Sequence, residues 1–427
     1  MTNLLDTLTA RGMVHDATPA LHERLAAGPL TGYVGFDPTA ASLHVGNLVP
    51  VMALSWLQRL GGRPLVLVGG GTGMVGDPSG KKSERPMLTP QVVASNAASI
   101  REQLARFFSF GDGDTDATML NNADWLDGLG LLEFLRDAGK HFTVNYMLQK
   151  DTVRSRLDSG ISFTEFSYML IQAYDFAHLA GEFGCELQMG GSDQWGNITA
   201  GIELAARRDG RKLHGLVLPL LTTAAGTKFG KSEAGNVWLD PALTSPYQFH
   251  QFWLRTDDAD VERLLRFFTF KPLDEIAAVM EQHAADPSTR VAQRALADDV
   301  TARVHGPAAV ERATRAAEIL FGVSELGSAD ADTIHTVCSE VPSVVISGTE
   351  LDQGIGIADA FVRAGLAESK RQARQFAGSG SLSINDHTTD GQEPLGRSHL
   401  LAGGVILLRR GKRQWAALRM EERPADT

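Results

Sequence analysis

The sequence predicts an α/β protein: a doubly wound parallel sheet, followed by a helical domain and a small α+β domain. Three observations carry this. Strand-like and helix-like segments alternate over the first two hundred residues. One of them, Pro64-Leu-Val-Leu-Val68, is a continuous apolar run of the kind buried on both faces of a parallel sheet. The strand signal then fades and returns only after residue 380, which separates a sheet domain from the later segments of the chain.

Taken in order, residues 1–30 read as an amphipathic helical lead-in carrying Leu4, Leu5, Leu8, Leu21 and Leu25. Residues 33–36 read as a strand, and 48–60 keep a helical apolar period. The strand 64–68 runs into a glycine-rich turn, 69–76. Residues 91–108 read as a helix, and 117–120 and 187–189 as short strands with helices between and after. Ligands of such sheets bind beyond the C-terminal strand ends, where the strand order reverses. Tyr33 and the segment 188–193 are expected at or just beyond strand ends. Segments 245–255, 259–283 and 287–320 read as helices, and 321–350 as a linker without helical period. From 351 a new unit begins: a helix from Ile357, a second helix with Ser369 as N-cap, a Gly378-Ser-Gly380 turn, and strands at 381–385 and 405–408. The expected domains are therefore 1–235, 236–320 and 351–427, joined by the linker.

A chain of 427 residues exceeds one ordinary core. Apolar content of 43% with 21% charged residues excludes a disordered chain. Cys185 and Cys338 give neither a disulfide framework nor a CxxC metal spacing, so no protein-bound metal is expected. No apolar run reaches the roughly 18 residues of a membrane span, and the N-terminus lacks a signal peptide's layout. The expected compartment is the cytoplasm, with no membrane partner. The net charge of −11 opposes general polyanion binding. Yet residues 360–420 hold ten basic and four acidic side chains, a basic end on an acidic body, as expected when one module touches nucleic acid.

The chemistry concentrates in two places. His44-Val-Gly-Asn47 sits at the mouth of the 48–60 helix, where unpaired first-turn N–H groups and the helix dipole suit a polyphosphate. Lys228-Phe-Gly-Lys231-Ser232 offers two cations flanking a glycine that lets the loop bend. Tyr168, Gln172 and Asp175 are spaced i, i+4, i+7, one face of a helix bearing a phenol, an amide and a carboxylate. Such a stripe is unusual in a core and suits a pocket wall.

The two short motifs resemble the "HIGH" and "KMSKS" signatures of class I aminoacyl-tRNA synthetases. Further stretches resemble the bacterial tyrosyl-tRNA synthetase family along nearly the whole chain. They are Tyr33-Val-Gly-Phe-Asp-Pro-Thr39, Gly76-Asp77-Pro-Ser-Gly-Lys81, Tyr168-Met-Leu-Ile-Gln172-Ala-Tyr-Asp175 and Leu187-Gln-Met-Gly-Gly191-Ser-Asp193-Gln194-Trp-Gly-Asn197. The resemblance implies a class I core and the use of ATP, with accompanying Mg²⁺, L-tyrosine and tRNA(Tyr). It also implies a homodimer.

Residue by residue, the resemblance implies that Tyr33 and Asp175 bond the substrate phenol. Tyr168, Gln172 and Asp77 would hold its ammonium, and Gln194 would lie near its carboxylate. Gly35, Asp37, Gly191 and Asp193 would serve ATP and its ribose. Thr39, His44, Asn47, Lys228, Lys231, Lys81 and Arg85 would serve the phosphates. The C-terminal unit resembles an S4-like RNA-binding domain with Lys370, Arg371 and Arg374 on its second helix. Departures are Asn47 in place of a final histidine, Val45 within the first motif, and Phe-Gly within the second. The readings set against this one are a tryptophanyl-tRNA synthetase, opposed by Tyr33, Asp175 and the S4-like end, and a non-catalytic RNA-binding paralogue, opposed by the presence of His44, Lys228 and Lys231.

Overall fold

Five parallel strands fix the geometry of the first unit. The computed structural model describes residues 3–75, 88–154, 157, 160–224, 226, 229–232, 235–322, 326 and 329–421. The chain divides into two compact units, residues 1–244 with 252–304, and residues 245–251 with 305–427. This division differs from the expected one: the helices between 258 and 304 belong with the sheet, and those after 305 with the C-terminal unit.

The strands of the first sheet are β1 (Asp16–Ala17), β2 (Thr31–Phe36), β3 (Arg63–Val68), β4 (Thr118–Asn121), β5 (Cys185–Gly191) and β6 (His214–Leu218). They lie in the order β1-β6-β5-β2-β3-β4. All neighbours pair parallel except the two-residue edge strand β1, which is antiparallel to β6. From β2 the chain winds outward through β3 to β4, and then returns to the other side of β2 through β5 to β6. The strand order therefore reverses between β2 and β5, which opens a crevice beyond their C-terminal ends. The central strands are apolar because helices cover both faces: Leu65, Val66, Leu187 and Leu216 are fully buried. Helix Phe163–Glu182 starts at a Ser162–Glu165 capping box and buries Met169, Ala173, Phe176 and Ala180.

Four sequence expectations change. Residues 70–75, expected as part of a turn, form a helix, Gly70–Val75. Its glycines are there for close approach: a Cβ on Gly70 would stand 2.1 Å from Asn121 Oδ1. The segment 259–283 is two helices, Asp258–Phe268 and Leu273–Ala285, because the residue before Pro272 is biased away from helical ψ. The segment 287–320 is broken at Gly306, with φ +88, and Pro307, into Val291–His305 and Pro307–Leu320. The expected linker holds helix Ala331–Ser339 and strand β9 (Ser343–Ile346).

The second unit carries its own sheet. Beside β9 it comprises β10 (Leu382–Ile384), β11 (His387–Thr388), β12 (Val405–Arg410) and β13 (Gln414–Met420), in the order β11-β10-β12-β13-β9. Strands β10 to β13 pair antiparallel, and β9 joins β13 in parallel. Helices Ile357–Arg363 and Lys370–Gly378 cover one face through Phe361, Ala373 and Ala377.

Candidate active site

The phenol of Tyr33 lies on β2 at the switch point, in mid-strand rather than at the strand end. It is 1% exposed, its ring stands 5.2 Å from that of Phe176, and its hydroxyl has no hydrogen-bond partner among the described residues. Burial, and next the charge of nearby Asp175, hold its proton well above the ordinary tyrosine range. An orphaned buried hydroxyl costs stability unless something bonds it.

Asp175, equally buried, is held on both oxygens. Asn122 Nδ2 donates to Oδ2 at 2.9 Å and Trp125 Nε1 to Oδ1 at 2.8 Å. Asn122 is itself fixed: its Oδ1 accepts from Gly71 N at 2.8 Å, and its Nδ2 also donates to Thr72 Oγ1 at 2.9 Å. Burial pushes the Asp175 carboxyl up to about 7, and the two donated bonds pull it the other way. Asn122, Trp125 and Thr72 are neighbours of Asp175 that sequence reasoning missed. A usable signal was present, since Asn122 and Trp125 come directly after the C-terminal end of β4.

On the same helix face Tyr168 is buried, and Gln172 enters an amide cluster. Gln172 Nε2 donates to Gln194 Oε1 at 3.2 Å, and Asn197 Nδ2 donates to Gln172 Oε1 at 2.8 Å and to Gln194 Oε1 at 3.1 Å. Gln194 and Asp193 lie in the short helical turn Ser192–Gln194, directly after Gly191 ends β5. A Cβ on Gly191 would meet Asp193 Oδ1 at 2.6 Å. Gln188, paired with Tyr33 across β5 and β2, is buried with Oε1 lacking a partner among the described residues. Gly35 is exposed, with open space where a Cβ would stand.

The two short motifs meet in space. His44 is extended, and its backbone N–H donates to Asn47 Oδ1 at 3.0 Å, closing the turn that leads into helix Leu48–Arg59. Val45 N donates to Val237 O at 2.9 Å, and Val237 N to Gly230 O at 3.2 Å, so the segment after the second motif bridges it to the first. The His44 ring lies 5.9 Å from Trp238. Asp37 and exposed Thr39 lie just after β2 ends. Asp77, Lys81, Arg85 and Lys228 lie outside the described residues. Lys231 is placed by its backbone alone, in the two-residue strand β7 (Lys231–Ser232) paired with β8 (Gly235–Asn236).

In the second unit, Ser369 caps helix Lys370–Gly378 as expected, accepting from Gln372 N. Lys370 pairs with Asp359 at 2.5 Å. Arg371 and Arg374 are exposed and have no ion-pair partner among the described residues.

A parallel sheet that reverses at β2 and β5, with both short motifs brought together beyond it, defines a class I aminoacyl-tRNA synthetase core. The family model for class I tRNA synthetases of the tryptophan and tyrosine type (W and Y) matches residues 25–322. That for the tyrosine–tRNA ligase SYY-like C-terminal domain matches residues 333–418. The chain belongs to the tyrosine–tRNA ligase family. It is 59% identical over 421 residues to a tyrosine–tRNA ligase of Anaeromyxobacter dehalogenans, covering 98% of this chain and 100% of that one. It is 50% identical over 424 residues to that of Roseiflexus castenholzii, with 98% and 100% covered. Its fold is similar to the crystal structure of a C-terminally truncated Aspergillus nidulans mitochondrial tyrosyl-tRNA synthetase. That match has a TM-score of 0.68 and 34% identity, and it covers 75% of this chain and 95% of that one.

Proposed function

We infer that the protein is a tyrosine–tRNA ligase. It activates L-tyrosine with ATP, giving tyrosyl-adenylate and pyrophosphate, and then transfers tyrosine to the 3′ end of tRNA(Tyr). One observation supports the choice of amino acid above the others: a buried hydroxyl on Tyr33 without a partner among the described residues, beside a buried carboxylate on Asp175 oriented by Asn122 and Trp125. A substrate phenol donates to Asp175 and accepts from Tyr33. Phenylalanine would leave both groups unbonded, and a site of this kind rejects it, an effect for which this same family is the reference case.

The rest of the assignment follows the crevice. Tyr168, Gln172 and Asp77 hold the substrate ammonium, and Gln194 lies near its carboxylate. Gly191 and Asp193 receive the ribose, with Gly35 and Asp37 beneath the nucleotide. In the first step a carboxylate oxygen of tyrosine attacks the α-phosphorus and pyrophosphate leaves in line. Thr39, His44 and Asn47 on one side, and Lys228, Lys231, Lys81 and Arg85 on the other, neutralise the charge that develops on it. In the second step a terminal ribose hydroxyl of tRNA attacks the acyl carbon and AMP leaves. Mg²⁺ enters with the ATP phosphates as part of the substrate. Among the described residues no group of three or more His, Cys, Asp or Glu is placed to hold a metal.

The working assembly is a homodimer in the cytoplasm. Helix Leu131–Asp137 turns Leu131, Leu132 and Leu135 to solvent at 72%, 81% and 49% exposure, an apolar face of the kind an identical subunit covers. Both cysteines are free and buried, in keeping with a reducing compartment. Among the described residues no helix is long and apolar enough to cross a membrane. Arg371 and Arg374 serve tRNA phosphates. The deciding experiment is ATP–pyrophosphate exchange with each of the twenty amino acids. Exchange with tyrosine alone is expected, and exchange driven by tryptophan, or by none of them, overturns the reading.

A further inference from the structure

The second motif is gripped from both sides by one helix. Before the motif, Asp260 on helix Asp258–Phe268 is 6% exposed, and its Oδ2 accepts the backbone N–H of Ala224 at 2.8 Å. Arg263, one turn on, donates to Thr222 O at 2.5 Å and to Asp260 Oδ1 at 2.7 Å, so the carboxylate is held by its own helix while it holds the chain. Within the motif, the ring of Phe229 lies 5.4 Å from Phe252, 5.6 Å from Trp253 and 5.9 Å from Phe268. The contact with Phe268 is stacked, at 17°. Phe268 is the last residue of the same helix.

A buried carboxylate committed to one backbone N–H, and an aromatic side chain committed to a three-ring socket, are not what a surface turn needs. Each is specific in direction. Together they fix the chain on both sides of Lys228, four residues before it and one after. Gly230 then stands against Gly46, and the motif's backbone is registered to His44 and Asn47 through Val237. Lysine side chains carry much rotamer entropy, so a cation placed by a fixed backbone reaches a phosphate at less cost than one placed by a wandering loop.

We propose that Phe229 and Asp260 are positioning residues for adenylate formation: they seat the second motif on helix Asp258–Phe268 and so set where Lys228 and Lys231 stand. The inference rests on the ligase reading and deepens it. Neither residue touches substrate. Their effect belongs to the step in which pyrophosphate leaves, and tyrosine binding, fixed by the pocket around Tyr33 and Asp175, is independent of them.

The test compares Phe229→Ala, Phe229→Met, Asp260→Ala and Asp260→Asn with the parent full-length chain. In single-turnover reactions, Phe229→Ala and Asp260→Ala are expected to slow adenylate formation by about tenfold or more while the tyrosine Kd stays within about twofold. Phe229→Met, which refills the socket, is expected to restore the rate to within about threefold. Asp260→Asn keeps an oxygen for Ala224 and is expected to fall between. A second readout needs no activity. Tryptic cleavage after Lys228 and Lys231 is expected to accelerate several-fold in both alanine variants and return to the parental rate in Phe229→Met. An unchanged rate of adenylate formation overturns the proposal, as does a tyrosine Kd that rises in step with the loss, or a methionine variant as slow as alanine. A parent chain without tyrosine-dependent exchange would defeat the ligase reading, and the cleavage comparison would still decide whether the seat holds: equal cleavage in parent and alanine variants overturns it.

Discussion

Gly230 and Gly46 approach so closely that a Cβ on Gly230 would stand 3.0 Å from the Gly46 backbone nitrogen and 3.1 Å from Val45 Cγ2. Gly230 also has φ +94, a conformation that other L residues rarely adopt. Both constraints fall on the residue between the two lysines of the second motif. They join that motif to the first across nearly two hundred residues of chain. The glycine is therefore needed for contact between motifs as well as for backbone freedom.

Gly230→Ala should carry strain of about 1–3 kcal/mol at this backbone position, before any clash is counted. Relief requires the motif to move off Gly46. Adenylate formation should slow by roughly tenfold or more, in proportion to that strain, with the tyrosine Kd nearly unchanged. Single-turnover kinetics beside equilibrium dialysis measure both. A substituted enzyme as fast as the parent would mean that the approach of Gly230 to Gly46 is not kept during the reaction.

On the proposed assignment Asp175→Ala removes the acceptor for the substrate phenol, and it takes a bond from buried Asn122 Nδ2 and from half-buried Trp125 Nε1. Tyrosine activation should be nearly abolished, and stability should fall by about 1–3 kcal/mol for each donor left unpaired. Tyr33→Phe removes one neutral hydroxyl and should cost only about 0.5–1.5 kcal/mol in kcat/KM for tyrosine. Tyrosine-dependent exchange and thermal unfolding separate the two. Negligible and equal effects of both changes would place the pocket elsewhere.

The raised Asp175 carboxyl gives a pH dependence with a definite sign. In the folded chain it holds its proton up to about 7, whereas an ordinary aspartate loses it near about 3.9. Between those values the folded state binds more protons than the unfolded one, so the contribution of this group to stability is present below that window and lost as pH rises through it. Under the proposed assignment substrate binding runs the other way, because the phenol O–H then needs the carboxylate as acceptor. The tyrosine Kd should fall as pH rises through about 7, by up to about tenfold per unit below the midpoint. Asn122→Ala removes one bond that favours the ionised form and should move the midpoint upward. Equilibrium dialysis from about pH 5.5 to 8.5 reads this, and a flat profile would exclude Asp175 as the acceptor.

The range of each interaction decided whether the sequence revealed it. The stripe Tyr168, Gln172, Asp175 was legible because a helix writes its faces into local spacing, and the strand at 64–68 because a parallel strand buried on both sides writes an apolar run. Asn122 and Trp125 were missed because they reach Asp175 from 53 and 50 residues away, and no local period encodes that. The helix Gly70–Val75 was hidden by its composition: glycine disfavours helices, and these glycines are explained by Asn121 and Leu126 packed against them. Strand β9 reads as linker in the sequence because its ladder partner among the described residues, β13, comes some seventy residues later. Its residues Ser-Val-Val-Ile carry no polar–apolar alternation, although their burial does alternate once paired: exposed, intermediate, exposed, buried.

That last correction changes where the chain should be cut to separate adenylate chemistry from tRNA charging. Removal of residues 351–427 would strip β13 from β9, which pairs with it from Ser343 to Ile346, and leave an unpaired strand edge. Trp415 Nε1 also donates to Leu320 O at 3.0 Å, so the last turn of helix Pro307–Leu320 belongs to the same packing. The cut belongs after Val304, where the first unit ends, which retains every described residue of the candidate site and removes the whole C-terminal sheet together with helix Pro307–Leu320. Tyrosine-dependent pyrophosphate exchange should survive, because Tyr33, Gln172, Asp175 and both short motifs lie in the first unit. Charging of tRNA(Tyr) should collapse, because exposed Arg371 and Arg374 and their basic surroundings are gone. Reversing charge at those two arginines in the full chain should give a smaller loss of charging with exchange intact. If the contacts are to phosphates, that loss should be relieved at low salt, and the salt slope of tRNA binding should fall by about one unit per contact removed. Normal charging by the truncated chain would remove the C-terminal unit from tRNA binding, and loss of exchange in a folded truncation would show that the unit supports the catalytic sheet itself.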